Sequence, residues 1–108
     1  MPVEFQNTRG WCTARLIGEI DHHAAERIRR DIDRRILQDK PKILRLDFRA
    51  VSFMDSSGVG LVMGRYRAVS AWGGILELDG MSAAVQRIMR LSGIEKIATI
   101  VKQEGDHV

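Results

Sequence analysis

The residues of this chain best placed to do chemistry are Asp55, Ser56 and Ser57, within Phe53-Met54-Asp55-Ser56-Ser57-Gly58-Val59-Gly60. An apolar run from Ile43 to Phe48 precedes them and an amphipathic stretch follows, so the three fall where a strand and loop pass into a helix. Short oxygen side chains are favoured there because they accept hydrogen bonds from the first backbone N–H groups of the helix, which lack intrahelical partners. The same free donors, with the positive end of the helix dipole, favour a phosphate. A serine hydroxyl in this position is a candidate for a switch by modification.

Other chemistries fit the residues less well. A nucleophile elbow needs G-x-S-x-G, and Met54 to Gly58 give M-D-S-S-G instead. The upstream histidines, His22 and His23, are adjacent, and neighbouring side chains on a helix diverge by about 100°. Neither a triad nor a two-histidine metal face, which needs i, i+4 spacing beside Asp21, follows from them. Gly58, Gly60 and Gly64 depart from G-x-G-x-x-G, lie within the helix rather than before it, and have no lysine of a phosphate loop beside them. No catalytic residue and no metal ligand is assigned. What remains is a folded domain with a poised serine, the profile of a kinase and phosphatase substrate or of a binding module.

The elements that must position this serine can be read along the chain. A short strand lies around Val3 to Gln6, and Trp11 to Ile17 partly alternates as a second strand that puts Cys12, Ala14 and Leu16 inside. Asp21 is a good N-cap for a helix whose Ala25, Ile28, Ile32 and Ile36 recur at steps of three and four until Lys40-Pro41 stops it. Ile43 to Phe48 reads as a strand covered on both faces. A second helix is expected from about Ser57 to Ala71, with Val59, Val62, Met63, Tyr66 and Val69 towards the core, ended by Gly73-Gly74. Ile75 to Leu78 makes the next strand. Ser82 caps a third helix that uses Val85, Ile88, Met89 and Leu91 and stops at Gly93. Ile97 to Val101 supplies a last strand, and 103–108 a flexible tail. Strand and helix alternate, as in an α/β domain with parallel connections.

Composition narrows the class further. The 108 residues suffice for one core and not two, and 44% hydrophobic with 29% charged residues is ordinary for a folded soluble protein. No run approaches the ~20 apolar residues of a membrane span, and Met1 to Gly10 lacks the apolar centre of a signal peptide. The single cysteine cannot form an internal disulfide, which fits a reducing cytoplasm. The net charge of +3 owes much to Arg27, Arg29, Arg30, Arg34 and Arg35, among which Glu26, Asp31 and Asp33 are interleaved. That pattern reads as a solvated helix face rather than a nucleic-acid surface, though the excess charge suits an acidic partner.

The ordered set Leu46-Asp47-Phe48 through Gly60, Gly64-Arg65-Tyr66, Gly18-Glu19-Ile20-Asp21-His22-His23, Gly73-Gly74-Ile75 and Leu91-Ser92-Gly93-Ile94 resembles the STAS domains of bacterial anti-anti-sigma factors, nearest their sporulation branch. The resemblance runs over residues 3–102 as a single domain. It implies an α/β fold with a central mixed sheet of about four to five strands and three or more helices. It implies a non-enzymatic regulator in a partner switch. The unphosphorylated antagonist binds an anti-sigma factor that is also a serine kinase and so frees the sigma factor. Phosphorylation on the first serine after the motif aspartate, here Ser56, ends the binding, and a serine phosphatase resets the cycle.

Carried onto this chain, the partner-binding residues are Asp21, His22, His23, Asp55, Ser56, Ser57, Gly58 and Gly60, the glycines allowing a partner's backbone to come close. ATP or ADP belongs to the kinase, so no cofactor is expected here, nor any direct nucleic-acid or membrane contact. Ala83 stands where members often carry proline, and the end of the chain is short and charged; neither touches the switch. A regulator of a different sigma pathway, a stressosome-type scaffold, and a small nucleotide-binding protein or enzyme using the Ser56 region are the alternatives.

Overall fold

A computed structural model describes residues 2–101, so the tail expected at 103–108 lies outside the described residues. The chain folds as β1 (Val3–Thr8), β2 (Trp11–Ile20), α1 (His22–Asp39), β3 (Ile43–Met54), α2 (Ser57–Ser70), β4 (Ile75–Asp79), α3 (Ala83–Leu91), a 3₁₀ turn (Ile94–Lys96) and β5 (Thr99–Ile100). The five strands form one sheet in chain order, β1 antiparallel to β2 and the others parallel. The mixed sheet and its three α-helices match the expected class.

Successive parallel neighbours joined by right-handed crossovers carry their helices to the same face of a sheet. Burial follows that rule. Cys12, Ala14 and Leu16 of β2, Leu44 and Leu46 of β3, and Leu76 and Leu78 of β4 are all but sealed, together with Ile28, Ile32 and Ile36 of α1. The alternate residues turn to the opposite face, which no helix among the described residues covers. There Arg45 pairs with Glu77 at 2.8 Å, Arg49 reaches Asp79 through two nitrogens at 3.2 Å each, and the Arg45 guanidinium lies 5.0 Å over the Trp11 ring.

The first helix starts as its sequence dictates. The Asp21 carboxylate accepts the Ala24 N–H at 2.8 Å, and Lys40, at φ 43, closes the last turn by donating to the Ile36 carbonyl.

Three expectations are corrected. First, β3 does not stop at Phe48; it continues to Met54, because Ile17–Ile20 of β2 keep pairing with Ala50–Met54 across two register shifts. Pairing with β4 ends at Asp47–Asp79, so the last residues of β3 extend past β4 with β2 as their strand partner. Second, the stretch from Ile97 is mostly not a strand: the chain makes a 3₁₀ turn and pairs only through Thr99 and Ile100. Third, Leu91 is 81% exposed, while Leu61 and Arg65 of α2 are buried and Val59, Met63 and Tyr66 only partly so.

Candidate functional site

The two helices that follow β2 and β3 start side by side because the strands end together. Ile20 and Met54 are register partners, and the N–H of Asp55 donates to the Ile20 carbonyl at 3.2 Å. Asp21 and Asp55 therefore occupy equivalent places in neighbouring βα units. His22, Glu26 and Arg29 of α1 face Ser57, Gly60 and Leu61 of α2 across a groove of about 220 Å³. The structure thus brings the Asp21-His22-His23 segment and the Ser56 segment to one end of the sheet.

The three oxygen side chains at the head of α2 divide the work. The Asp55 carboxylate accepts the Ser57 N–H at 2.8 Å, while its carbonyl accepts the Gly58 N–H at 3.1 Å. Ser56 stands at the cap position with helical backbone angles, φ −64 and ψ −14, and makes no side-chain capping bond. Its carbonyl already accepts the Val59 N–H at 3.0 Å, but its hydroxyl is exposed. Ser57 is half-buried beside the groove. The serine that the residues single out is the one the fold leaves unoccupied.

The glycines differ from one another. Gly58 is buried, and a Cβ there would run into the Met54 side chain, so its close approach is to a neighbour in its own chain. Gly60 is exposed, and nothing lies within 4 Å of where its Cβ would be. His22 and His23 stack edge to face, centroids 5.5 Å apart, both exposed. The Ala24 N–H, assisted by nearby positive charge, holds the Asp21 carboxyl below its ordinary value.

Sequence reasoning named Arg65 only as part of the Gly64-Arg65-Tyr66 segment and missed that it is buried. It lies two turns beyond Ser57 and is 5% exposed, with its Nε 2.9 Å from the Asp33 carboxylate of α1. The contact is a charge pair without hydrogen-bond alignment, and the Arg65 Nη1 has no partner among the described residues. Burial lowers the pKa of its guanidinium, against the pull of Asp33. Asp33 also lies 3.6 Å from Arg29, which in turn bonds Glu26 at 2.6 Å. Its place on the helix stripe of Gly58, Leu61 and Val62 signalled burial, and charge argued against reading it as internal.

Residues 2–107 match the STAS domain family. The chain belongs to that family. The anti-sigma F factor antagonist of Paenibacillus polymyxa is 33% identical over 104 residues, covering 96% of this chain and 89% of that protein. The anti-sigma F factor antagonist of Lysinibacillus sphaericus is 41% identical over 87 residues, covering 81% and 74%. Among solved structures, the anti-sigma factor antagonist SpoIIAA in its unphosphorylated form superposes with a TM-score of 0.81 at 37% identity, over 96% of this STAS chain and 91% of that one. The Bacillus cell fate determinant SpoIIAA in its phosphorylated form gives 0.73 at 36%, over 96% and 95%. Among the described residues of this STAS domain, no helix is long and apolar enough to cross a membrane.

Proposed function

We propose that this STAS domain is an anti-sigma factor antagonist controlled by phosphorylation on Ser56. In the unphosphorylated state it binds an anti-sigma factor that is also a serine kinase; the phosphate ends that binding, and a serine phosphatase restores it. The binding surface joins the heads of α1 and α2: Asp21, His22 and His23 on one side, Asp55, Ser56, Ser57 and Gly60 on the other, with the buried Gly58, expected there from the sequence, packed against Met54 instead. One observation carries the reading. Ser56 presents an exposed hydroxyl that caps nothing, at a helix start whose capping Asp55 performs.

A phosphate at Ser56 adds about −1.5 to −2 charges and three acceptor oxygens. The helix dipole tolerates them within the domain, whereas an opposing surface fitted to a bare hydroxyl meets both bulk and charge. Affinity changes and the fold does not. Incubation with the cognate anti-sigma kinase and ATP is expected to place a single phosphate on Ser56, read by tandem mass spectrometry. Ser56→Ala is expected to bind the anti-sigma factor and never be released by ATP. Phosphate on Ser57, Ser52 or Thr13, or normal cycling by Ser56→Ala, would refute the assignment.

A further inference from the structure

The charges of α1 sort into two sets by the face they occupy. Towards α2, Glu26, Arg29, Asp33 and Arg65 are tied together by ion pairs of 2.6, 3.6 and 2.9 Å. Towards β1, Arg27, Arg30 and Arg34 are exposed, and no ion pair joins any of them to a carboxylate among the described residues. The acids that the sequence interleaves with the arginines are thus mostly spent on the other face, and Asp31 alone remains among the three.

These arginines border two adjoining grooves. One, of about 390 Å³, lies between Pro2 and the Arg27, Arg30 and Arg34 side of the helix. The other, of about 440 Å³, continues between α1 and the helix-facing residues Val3, Phe5 and Asn7 of β1, sharing Asp31 and Arg34 with the first. Its wall is partly apolar, and Arg35 lies 4.6 Å over the Phe5 ring. On its other side β1 is the first strand of the sheet and, among the described residues, pairs only with β2, so its outer backbone groups form an open edge there.

We propose that this edge and the α1 arginines together dock an extended, acidic segment of a partner protein. The segment adds as a strand beside β1, and its alternate side chains turn towards α1. Arg27 and Arg34 are separated by a rise of about 10 Å along the helix. Carboxylates on alternate strand positions recur about every 6.7 Å, so three successive ones fall within reach of three long arginine side chains. The site goes beyond the Ser56 reading and stands whether or not that reading does.

A protein segment fits better than a nucleic acid. The aromatic ring on this face, Phe5, is already covered by Arg35 rather than free to stack bases. The outer edge of β1 offers main-chain hydrogen bonds that an extended peptide uses and a duplex does not.

The test uses the full chain and a fluorescein-labelled peptide of alternating glutamate and valine, followed by fluorescence anisotropy. Binding is expected, weakening as salt rises, and the Arg27→Gln/Arg30→Gln/Arg34→Gln variant is expected to lose at least about tenfold in affinity. Unchanged circular dichroism and melting temperature show that the variant is folded. A peptide with proline replacing the valines, which cannot complete the strand ladder, is expected to lose binding too. Arg67→Gln on α2 is the charge control and is expected to bind normally. No binding of the glutamate–valine peptide overturns the proposal, as does equal loss in the Arg67 control. Arginine-dependent binding of duplex DNA or of phosphatidylserine vesicles, tighter than that of the peptide, would reassign the surface to those partners.

Discussion

The carboxylate of Asp55 accepts the backbone N–H of Ser57 at 2.8 Å, reaching past Ser56. Two adjacent residues of capping type are therefore not interchangeable: one holds the helix, and the other is left free. Asp55→Ala is expected to destabilise the domain by about 1 kcal/mol, the usual value of a lost cap, whereas Asp55→Asn keeps an acceptor and stays close to wild type. Urea denaturation of the two variants decides this. Equal losses would mean that the charge of Asp55, not its acceptor geometry, holds α2.

Ser56→Asp separates surface from fold. The new carboxylate sits at a helix start, where it is expected to be neutral or stabilising by about 0.3–1 kcal/mol. At the partner surface it is expected to weaken binding at least tenfold, about 1.4 kcal/mol, and less completely than phosphate does. Calorimetry and a melting curve are read together. A fall in melting temperature that accounts for the lost binding would place the effect in helix unfolding; full-strength binding by a stable variant would remove Ser56 from the interface.

Gly60 and Gly58 are expected to respond in opposite ways to alanine. At Gly60 the added methyl meets nothing within 4 Å, so the gain in helix propensity, roughly 1 kcal/mol, is realised as stability. If a partner's backbone approaches there, Gly60→Ala binds the anti-sigma factor more weakly while melting higher. At Gly58 the methyl displaces the buried Met54 side chain, and the propensity gain is offset by repacking. A Gly58→Ala variant as stabilised as Gly60→Ala would show that Met54 moves aside freely.

The Arg65–Asp33 pair predicts an asymmetric mutational response. Asp33→Ala leaves a buried guanidinium without its counter-charge and is expected to cost about 1–3 kcal/mol, the loss tempered because Asp33 is partly open to solvent. Adding Arg65→Met to that variant is expected to recover part of the loss, since an apolar chain of similar length suits a buried site. Denaturant midpoints of the single and double variants give the answer. A double variant less stable than Asp33→Ala would mean that the aliphatic stem of Arg65 contributes packing that methionine cannot replace.

Cys12 is buried, and burial raises its thiol to about 11 from 9.0, outweighing the opposing influence of Arg35. The unfolded chain gives up this proton at lower pH than the folded one. The contribution to stability is therefore intact below pH 9.0 and lost as pH rises through about 11. Cys12→Ala is expected to show less alkaline destabilisation than wild type in melts across that window. Rapid modification of native Cys12 by a thiol reagent at neutral pH would contradict its burial.

Much of this fold is legible in the residues. Ile28, Ile32 and Ile36 recur at helical spacing behind a capping Asp21, and all are fully buried. The extension of β3 was hidden because Arg49 to Phe53 shows no alternation of apolar and polar residues: backbone pairing with β2, through register shifts, keeps the chain extended. Leu91 was read as core because it is large and apolar, yet it ends a short helix whose buried stripe is Val85 and Met89. At the site, the serine's position could be read because it follows a strand and precedes a helix. The division of labour between Asp55 and Ser56 could not, since both residue types accept the same amide and only the backbone angles decide which does.

The uncommitted hydroxyl of Ser56 has a consequence for how a cell would read this molecule. A hydroxyl that caps nothing gives up no capping bond when it is esterified, so the fold sets no barrier of its own against the modification. Under the proposed function, the fraction carrying phosphate is then set by the opposing rates of two enzymes. The domain works as a register, one bit wide, whose contents are written and erased from outside.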